Sequence, residues 1–411
     1  MDASRVIADL RELDRRTGGP GGARRVCWTE EWVAAREFLR ELVADLPVEV
    51  SVDTGGNLWA ESPGEREELV VVGSHLDSVP GGGWLDGALG VMAAVEVLRL
   101  ARSPARSVAL VDWADEEGAR FGRSLLGSSA FAGTLDPSAV SDLTDAAGGR
   151  LPEVLAEHGV QVGAMASAGE GRRGRVAAYL ELHIEQGPVL EAEGLACGAV
   201  LGTVGVERHR VVFEGRAAHA GSTPMDRRAD AGVAAARTIS GLQEIAQRHG
   251  GVCTAGRLDL EPGIVTAVPG RGELLVDQRH LDPEALEAML TAARDLWSSA
   301  AAGEGCTVSA QRIWGIEPLP FHDGLIGAAR AACRAAAGSE RELPSGALHD
   351  ASELARIVPT AMIFSSSKDG LSHAPGEDTP EKDLTAALEA FGALAKGVIA
   401  GGVPSRRTRR P

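Results

Sequence analysis

The chain has 411 residues, of which 44% are hydrophobic and 24% are charged, as in an ordinary globular protein of two or three domains. Its formal net charge of −17 at pH 7 and the lack of a broad basic stripe argue against a nucleic-acid-binding protein. The one basic run, residues 406–410, lies at the extreme C-terminus, where we expect a frayed tail rather than a binding patch.

Cysteine usage and the N-terminus indicate a cytoplasmic protein. The five cysteines are widely spaced and form no CxxC pair, which is typical of reduced thiols and gives no thiolate metal site. The N-terminal segment is charged and helical in pattern, unlike a signal peptide. No apolar run approaches the roughly 18 residues of a membrane-spanning helix. We therefore expect neither a membrane nor a nucleic acid as a partner.

The first part of the chain alternates helices and strands. Residues 1–47 carry two amphipathic helices, and apolar runs predict strands at 48–52, 69–73, 107–113 and 177–182. Such alternation favours an α/β domain with a mixed, mainly parallel sheet. Several of these strands run directly into charged residues or histidines, and the strand ends of open α/β sheets are where such folds place their sites.

The pattern changes in the middle of the chain, where residues 209–213 alternate like an edge or half-exposed strand. Further elements of this block are predicted at 229–249 (helix), 272–281 (strand), 283–300 (helix) and 306–314 (strand). The α/β character then returns. We predict one α/β catalytic domain, residues 1–206 and 319–411, interrupted by a smaller α+β domain of residues 207–318.

Side chains that commonly bind metals follow the predicted strands. His75 lies just past a strand and Asp86 comes after a glycine-rich turn; alone, this stretch is read equally well as a polar loop. Further candidates past other strands or downstream are Glu116, Glu117, His183 and His373. Nitrogen and oxygen ligands without thiolates suit zinc, manganese, cobalt or nickel. Five ligands and a spare carboxylate indicate two metals that share one aspartate, activate water and polarise a carbonyl.

The adjacent pair Glu116 and Glu117 fits two different roles. Neighbouring side chains point in different directions, so one carboxylate can bind metal while the other faces the substrate as a general base. By itself such a pair is better read as an acidic solvated loop, but its place after an apolar strand favours function. We also predict that Asp77 orients His75 from behind the metal.

Seven segments, taken together and in chain order, resemble the M20 family of dinuclear metallohydrolases. They read HLDSVPGGGWLDGALG, WADEEGARF, ELHIEQGPVLE, GRAAHAGSTPMDRRADA, VDQRHLD, SGALHDA and GLSHAPGE, and they cover nearly the whole chain. The histidine of HIEQGP brings the resemblance closer to one branch, which contains N-carbamoyl-L-amino acid amidohydrolases, β-ureidopropionases and allantoate amidohydrolases. The resemblance implies a three-layer catalytic domain interrupted by an inserted lid and dimerisation domain.

The resemblance also implies two divalent metal ions per chain. One would be held by His75, Asp86 and His183. The other would be held by Asp86, Glu117 and His373, so that Asp86 bridges the pair. Zinc or manganese is expected, with cobalt or nickel as alternatives.

Other residues match catalytic or substrate-binding positions of the family. Glu116 matches the general base, and His219 matches a residue that helps to polarise the scissile carbonyl, in the same chain or across a dimer. Gln186 lies beside the metals, and His349 lies near the site. Arg279 matches the arginine that pairs with the substrate carboxylate, a bidentate contact that suits guanidinium.

Three positions depart from the family pattern. Gly263 and Thr266 stand where the family has asparagines, one of which helps the residue matching Arg279 to hold the carboxylate. Thr266 is therefore a candidate substrate contact. Leu348 replaces a glycine beside His349. The ligand set is intact, but the pocket for the far end of the substrate is altered.

The resemblance implies a hydrolase that cleaves the C–N bond of an N-carbamoyl (ureido) amino acid and releases ammonia, carbon dioxide and the amino acid. Hydrolysis of allantoate, or of an N-acyl amino acid or dipeptide, is the alternative within the same class. A metal-free binding protein descended from the family is the alternative of a different class. A small ureido or amide substrate and a homodimer are the expected partners.

Overall fold

The computed structural model describes residues 1–101 and 104–403, and the basic run at 406–410 lies outside this part of the chain. The α-helices of the described residues are α1 (Ala3–Thr17), α2 (Glu30–Val43), α3 (Ala88–Leu100), α4 (Leu126–Ala132), α5 (Leu151–Glu157), α6 (Val189–Ala192), α7 (Ala231–His249), α8 (Pro283–Gly303), α9 (Asp323–Ala337), α10 (Asp350–Ala355) and α11 (Glu381–Gly401). Short 3-10 helices lie at Pro137–Ala139, Val162–Ser167, Arg173–Arg175, Met225–Arg227 and Lys368–Gly370.

The β-strands of the described residues fall into a long first group and a shorter second one. Up to residue 203 they are β1 (Gly18–Gly19), β2 (Gly22–Ala23), β3 (Glu49–Val52), β4 (Leu58–Ser62), β5 (Leu69–His75), β6 (Ser107–Trp113), β7 (Val176–Ile184) and β8 (Cys197–Thr203). After it they are β9 (Gly205–Glu214), β10 (Ala218–His219), β11 (Val252–Glu261), β12 (Ala267–Val268), β13 (Arg271–His280), β14 (Thr307–Ile316), β15 (Leu319–Pro320), β16 (Glu342–Ser345) and β17 (Thr360–Ser365).

The chain divides into two compact units. The larger unit comprises Met1–Leu201 and the segment from Phe321 onward, and the smaller unit is Gly202–Pro320. The smaller unit is thus an insertion in the chain of the larger one. The boundaries predicted from the sequence, after residues 206 and 318, fall close to these divisions.

A mixed sheet forms the centre of the larger unit, with its strands in the order β8-β17-β7-β5-β6-β4-β3. The four central strands are parallel, with Leu69 of β5 opposite Ser107 of β6 and Thr360 of β17 opposite Tyr179 of β7. The outer strands β8, β4 and β3 pair antiparallel. Because the central strands are parallel, their carboxyl ends lie at one edge of the sheet, and the segments that follow them meet there.

Helices cover both faces of this sheet, which gives three layers. Val70 and Val72 of β5 pack into a core with helices α1, α2, α3, α9 and α11. Leu69 and Val71, which point the other way, pack into a second core with α4 and α10. A strand buried on both faces needs a continuous apolar run, as β5 has, rather than alternation. The α/β class expected from the sequence is confirmed.

Helix α11 is, among the described residues, long and apolar enough to cross a membrane by length and composition. Half of its most apolar window is buried inside the protein. Its buried side chains belong to the core that also contains Val70 and Val72 of β5; they include Leu384, Leu388, Phe391 and Leu394. Helix α11 is therefore accounted for as a core helix of the larger unit.

The smaller unit is an antiparallel sheet in the order β11-β13-β9-β14, with helices α7 and α8 packed on it. Phe213 and Val276 of the sheet share a core with Leu242 of α7 and Trp297 of α8. The segment predicted as an edge or half-exposed strand is the longer β9, which lies between β13 and β14. The half-exposed prediction holds and the edge prediction is wrong, because the alternation reflects one uncovered face of an interior strand.

Candidate metal centre

Two histidines at the ends of parallel strands have their ring tautomers fixed by the main chain. His75 ends β5, and its Nδ1 lies 3.0 Å from the carbonyl oxygen of Asp77. In His183, near the end of β7, Nδ1 lies 3.0 Å from the carbonyl oxygen of Ile184. A carbonyl oxygen can only accept a hydrogen bond, so each neutral ring carries its proton on Nδ1 and keeps the Nε2 lone pair. This is the tautomer that a metal ligand needs.

Two groups of side chains converge on Asp86. Its Oδ1 lies 3.2 Å from His183 Nε2 and 3.9 Å from His75 Nε2. On the other side, His373 Nε2 lies 3.3 Å from Asp86 Oδ2 and 3.4 Å from Glu117 Oε2. Within each group the candidate ligand atoms lie within 4.8 Å of one another. Asp86 offers one oxygen to each group, as a carboxylate that bridges two cations must.

The polar atoms of these groups fit cations better than they fit each other. Among the described residues, Glu117 Oε1 is buried without a hydrogen-bond partner, and His183 Nε2 makes no well-aligned hydrogen bond although Asp86 Oδ1 lies 3.2 Å away. Leaving such buried atoms unpaired is costly unless a ligand supplies the missing contact. Burial, followed by the charge of Asp86, raises the pKa of Glu117 to about 7. A divalent cation would reverse that shift, because positive charge favours the ionised carboxylate.

Asp77, predicted to orient His75, contacts the ring chiefly through its main chain. Its carboxylate lies 3.6 Å from His75 Nδ1, and its main-chain carbonyl makes the closer contact. The carboxylate instead accepts hydrogen bonds from the main-chain N–H groups of Glu116 and Glu117, at 3.2 and 3.1 Å. These N–H groups, rather than the His75 ring, hold the Asp77 carboxylate in place. Asp77 therefore orients His75 through its backbone and ties β5 to the segment after β6.

Glu116 lies beside the two groups and belongs to neither. Its Oε2 is 3.8 Å from His75 Nε2, and the side chain lines the cavity in front of both groups. Burial raises the pKa of the Glu116 carboxyl well above its ordinary value, and the negative charges of Asp350 and Glu117 act in the same direction. A buried carboxyl in this position can take up a proton and give it back.

Gln186 and His373 hold strained backbone conformations, with φ values of 57° and 55°. Residues other than glycine rarely adopt this left-handed region, and such strain concentrates at functional sites. Gln186 Nε2 lies 2.9 Å from Asp86 Oδ2 and 3.1 Å from Ser372 Oγ. Both strained residues therefore contact Asp86 directly.

A cavity of about 670 Å³ opens onto both groups. It is also lined by Glu116, Gln186 and His349 and by the apolar side chains of Val79, Ala347 and Leu348. Nε2 of His349 lies 2.9 Å from Ser345 Oγ. Burial, followed by the charge of His183, lowers the pKa of His349 well below its ordinary value, so this ring is neutral. A cavity of this size accommodates a small molecule.

His219 and Thr266 lie together in the smaller unit. His219 pairs with Ala267 between β10 and β12, and the main-chain N–H of Ala220 donates to the Thr266 carbonyl at 2.9 Å. His219 is exposed, and its Nδ1 accepts hydrogen bonds from two main-chain N–H groups at 3.1 Å each. The ring proton is therefore on Nε2, which can donate a hydrogen bond outward.

Arg279 lies on β13 of the same unit, opposite Val206 of β9. Its Nε and Nη2 contact the Asp277 carboxylate at 2.7 and 3.3 Å. Asp277 also accepts from Arg208 Nε at 2.7 Å. Arg279 thus already has a carboxylate partner within its own strand, which the sequence did not indicate.

The sequence analysis missed three residues at the centre. Ser372 and Glu377 flank His373 in the GLSHAPGED segment, and Ser372 Oγ lies 3.0 Å from Asp86 Oδ2 and 3.2 Å from Glu377 Oε2. Their place beside a ligand histidine was a usable signal. Glu181 accepts three hydrogen bonds behind His183, and an acidic residue inside an apolar strand was a signal for it.

An α/β unit in which two adjoining groups of nitrogen and oxygen ligands share one aspartate has the features of a dinuclear metal-dependent hydrolase. The chain belongs to peptidase family M20/M25/M40, whose profile matches residues 71–397. That range contains every candidate ligand and the whole smaller unit. The family inferred from the seven segments is confirmed, and the protein is a hydrolase.

The chain is similar over most of its length to proteins named as amidohydrolases or amidases. It is 37% identical to an N-carbamoyl-L-amino acid amidohydrolase of Geobacillus stearothermophilus, over 93% of this chain and 94% of that one. It is 32% identical to an allantoate amidohydrolase of Bacillus subtilis, over 90% of this chain and 91% of that one. The structure of a hydantoinase/carbamoylase family amidase from Burkholderia ambifaria matches with a TM-score of 0.87 at 35% identity, over 99% of both chains.

Proposed function

We propose that the protein hydrolyses the carbamoyl group of an N-carbamoyl amino acid and releases ammonia, carbon dioxide and the amino acid. The observation that carries this proposal is the pair of ligand groups that share Asp86, with Glu116 beside them. The substrate class is supported by the likeness to the Geobacillus N-carbamoyl-L-amino acid amidohydrolase over nearly the whole of both chains.

Two divalent cations would be held by the two groups. His75, Asp86 and His183 would hold one, and Asp86, Glu117 and His373 the other. Zinc or manganese is proposed, with cobalt or nickel as alternatives that the same ligands allow. When bound, such cations polarise the carbamoyl carbonyl and lower the pKa of water.

Glu116 moves the proton in the proposed reaction. It accepts a proton from water as the water oxygen bonds to the carbamoyl carbon. It then returns that proton to the amino acid nitrogen as the C–N bond breaks, which leaves carbamic acid to decompose into ammonia and carbon dioxide. Gln186, whose buried Oε1 has no partner among the described residues, is proposed to accept a hydrogen bond from the ureido group.

The smaller unit is proposed to bind the other end of the substrate. His219 would donate a hydrogen bond from Nε2 to the carbamoyl oxygen, in the same chain or from a second copy in a homodimer. Arg279, once released from Asp277, would pair with the carboxylate, and Thr266 and His349 are proposed as further substrate contacts. We also propose that the protein is cytoplasmic and that the smaller unit acts as a lid.

Allantoate is the second candidate substrate, because the relative from Bacillus subtilis is named for it. The two candidates are separated by measuring ammonia release from N-carbamoyl amino acids and from allantoate at equal concentrations. N-acetyl amino acids, assayed for the free amine, serve as the third substrate. Faster turnover of N-carbamoyl amino acids is expected. Turnover of allantoate or N-acetyl amino acids alone would contradict the proposal.

A further inference from the structure

We propose that Glu377 is a positioning residue that fixes Asp86 between the two ligand groups and thereby sets the affinity for the cation pair. The inference rests on the metal sites of the proposed function, but it concerns a residue outside both ligand groups. Glu377 is 2% exposed and lies in the segment that carries His373.

The carboxylate of Glu377 holds the main chain of Asp86. Its Oε1 accepts hydrogen bonds from the N–H groups of Leu85, at 3.1 Å, and of Asp86 itself, at 3.0 Å. These partners are about 290 residues away along the chain, so the contact joins the turn before α3 to the His373 segment. Holding the main chain of Asp86 fixes where its Cβ lies and so restricts the positions that its two carboxylate oxygens can reach.

A second contact reaches the Asp86 side chain through Ser372. The Ser372 hydroxyl lies between Glu377 Oε2, at 3.2 Å, and Asp86 Oδ2, at 3.0 Å. It also receives a hydrogen bond from Gln186 Nε2 at 3.1 Å. One hydroxyl has one proton, so Ser372 can donate to only one carboxylate at a time. A cation that takes over Asp86 Oδ2 would leave that proton to Glu377, which then remains fully hydrogen-bonded.

The chain also leaves space for this carboxyl at Gly83. A Cβ atom added to Gly83 would lie 2.1 Å from the carboxyl carbon of Glu377. The turn that leads to Asp86 therefore packs directly on the Glu377 carboxyl. A larger residue at Gly83 would displace Glu377 without removing it, which provides an independent way to test the contact.

The test measures zinc affinity by competition with a chromophoric chelator, with no substrate present. We expect Glu377→Ala to bind zinc about 10–100-fold more weakly, the usual effect of removing a residue that supports a ligand. Glu377→Gln keeps an oxygen for the two N–H groups, so it should lose clearly less than Glu377→Ala. Gly83→Ala should also weaken zinc binding, because its added Cβ would displace the Glu377 carboxyl.

Asp53→Ala is the matched control. Asp53 also accepts two main-chain N–H groups, those of Gly55 and Asn57 at 2.9 and 3.0 Å, but it contacts none of the ligand groups. It should lower thermal stability and leave zinc affinity unchanged. If Glu377→Ala does not fold, Gly83→Ala and Glu377→Gln still give the comparison.

Wild-type zinc affinity in Glu377→Ala or, where that variant is not obtained, in Gly83→Ala would overturn the inference. Equal losses of zinc affinity in Glu377→Ala and Glu377→Gln would overturn it as well. The negative charge of Glu377, and not its hydrogen bonds to the main chain of Asp86, would then set the affinity. An equal loss in Asp53→Ala would also overturn the inference. A wild-type protein that binds zinc but cleaves no ureido acid would contradict the proposed function alone.

Discussion

Asp86 is the residue on which both ligand groups depend. One of its oxygens faces His75 and His183, and the other faces Glu117 and His373. A single carboxylate between two cations shortens the distance between them and offsets part of their mutual repulsion. Gln186 and Ser372 both contact Asp86 Oδ2, so they help to hold this carboxylate. Because each ligand group contains one Asp86 oxygen, changes at Asp86 should affect both cation positions.

Replacement of Asp86 by asparagine should therefore reduce the bound metal from two equivalents to at most one per chain. The amide keeps one oxygen and presents an NH₂ group that cannot bind a cation. The measurement is elemental analysis of the purified variant after dialysis against metal-free buffer. Two retained equivalents would show that the cations do not share this residue.

The neighbours Glu116 and Glu117 provide a matched pair of substitutions. Glu116→Gln should keep both metals and lose about 10²–10⁴-fold in kcat, because only the proton acceptor is removed. Glu117→Gln should lose activity together with metal, since its oxygen lies in the His373 group. Measured metal content and kcat in the two variants separate the roles, and near-normal turnover in Glu116→Gln would rule it out as the base.

The sequence identified the residues of the centre better than their supporting contacts. His75 and His183 lie at the carboxyl ends of their strands and the other candidates lie in recognisable segments, so residue type and position were sufficient to propose them. The sequence could not show which group of Asp77 contacts His75, because the choice of the carboxylate between a ring nitrogen and two main-chain N–H groups depends on the fold of a different strand. The contact of Glu377 with Asp86 joins distant parts of the chain and leaves no local pattern.

At the scale of elements, the turn between β5 and α3 sets the position of His75. Gly87 has a φ of +63°, and a Cβ atom there would lie 2.4 Å from the His75 ring. Glycine is required here twice, once by the backbone conformation and once by the ring packed against it. The parallel pairing of β5 with β6 and β7 then brings the other ligand segments to the same edge.

Gly87→Ala should consequently lower both stability and metal content. Gly159→Ala is the control, since Gly159 has a φ of +78° and no atom within 4 Å of an added Cβ. Each variant should lose about 1 kcal/mol of unfolding free energy from the left-handed backbone. Only Gly87→Ala should also lose metal, as measured by elemental analysis, and equal metal content in both would contradict the role of this turn.

Strands were predicted correctly where both faces are buried and the apolar run is continuous. They were missed where glycines or solvent-exposed polar residues interrupt that run. The apolar run of β6 was found at its full length. Strand β8 was missed because two of its seven residues are glycine. Strand β11 was missed because much of it is exposed and carries charged residues. The edge assignment of β9 failed because burial of one face says nothing about neighbours within the sheet.

At the scale of the whole molecule, the ligands and the proposed substrate-orienting residues belong to different units. Every ligand lies in the larger unit, whereas His219, Thr266 and Arg279 lie in the inserted one. The two units correspond to the α/β segments and the inserted α+β segment that the strand and helix patterns distinguish. The sequence could not show that Arg279 is held by Asp277, because that contact depends on side-chain conformation.

His219→Ala should therefore lower kcat without changing metal content. Loss of one hydrogen-bond donor to a developing negative charge typically costs about 10²–10³-fold in kcat. His249→Ala, in the last turn of α7, is the control and should retain activity. Turnover is measured on an N-carbamoyl amino acid alongside elemental analysis. Unchanged kcat in His219→Ala would remove it from the proposed mechanism.

The central claim is that two cations lie on either side of Asp86. Anomalous diffraction at the zinc edge, from crystals of the zinc-loaded protein, tests it most directly. The account predicts two peaks, one among His75, Asp86 and His183 and the other among Asp86, Glu117 and His373. A single peak, or peaks away from Asp86, would contradict it.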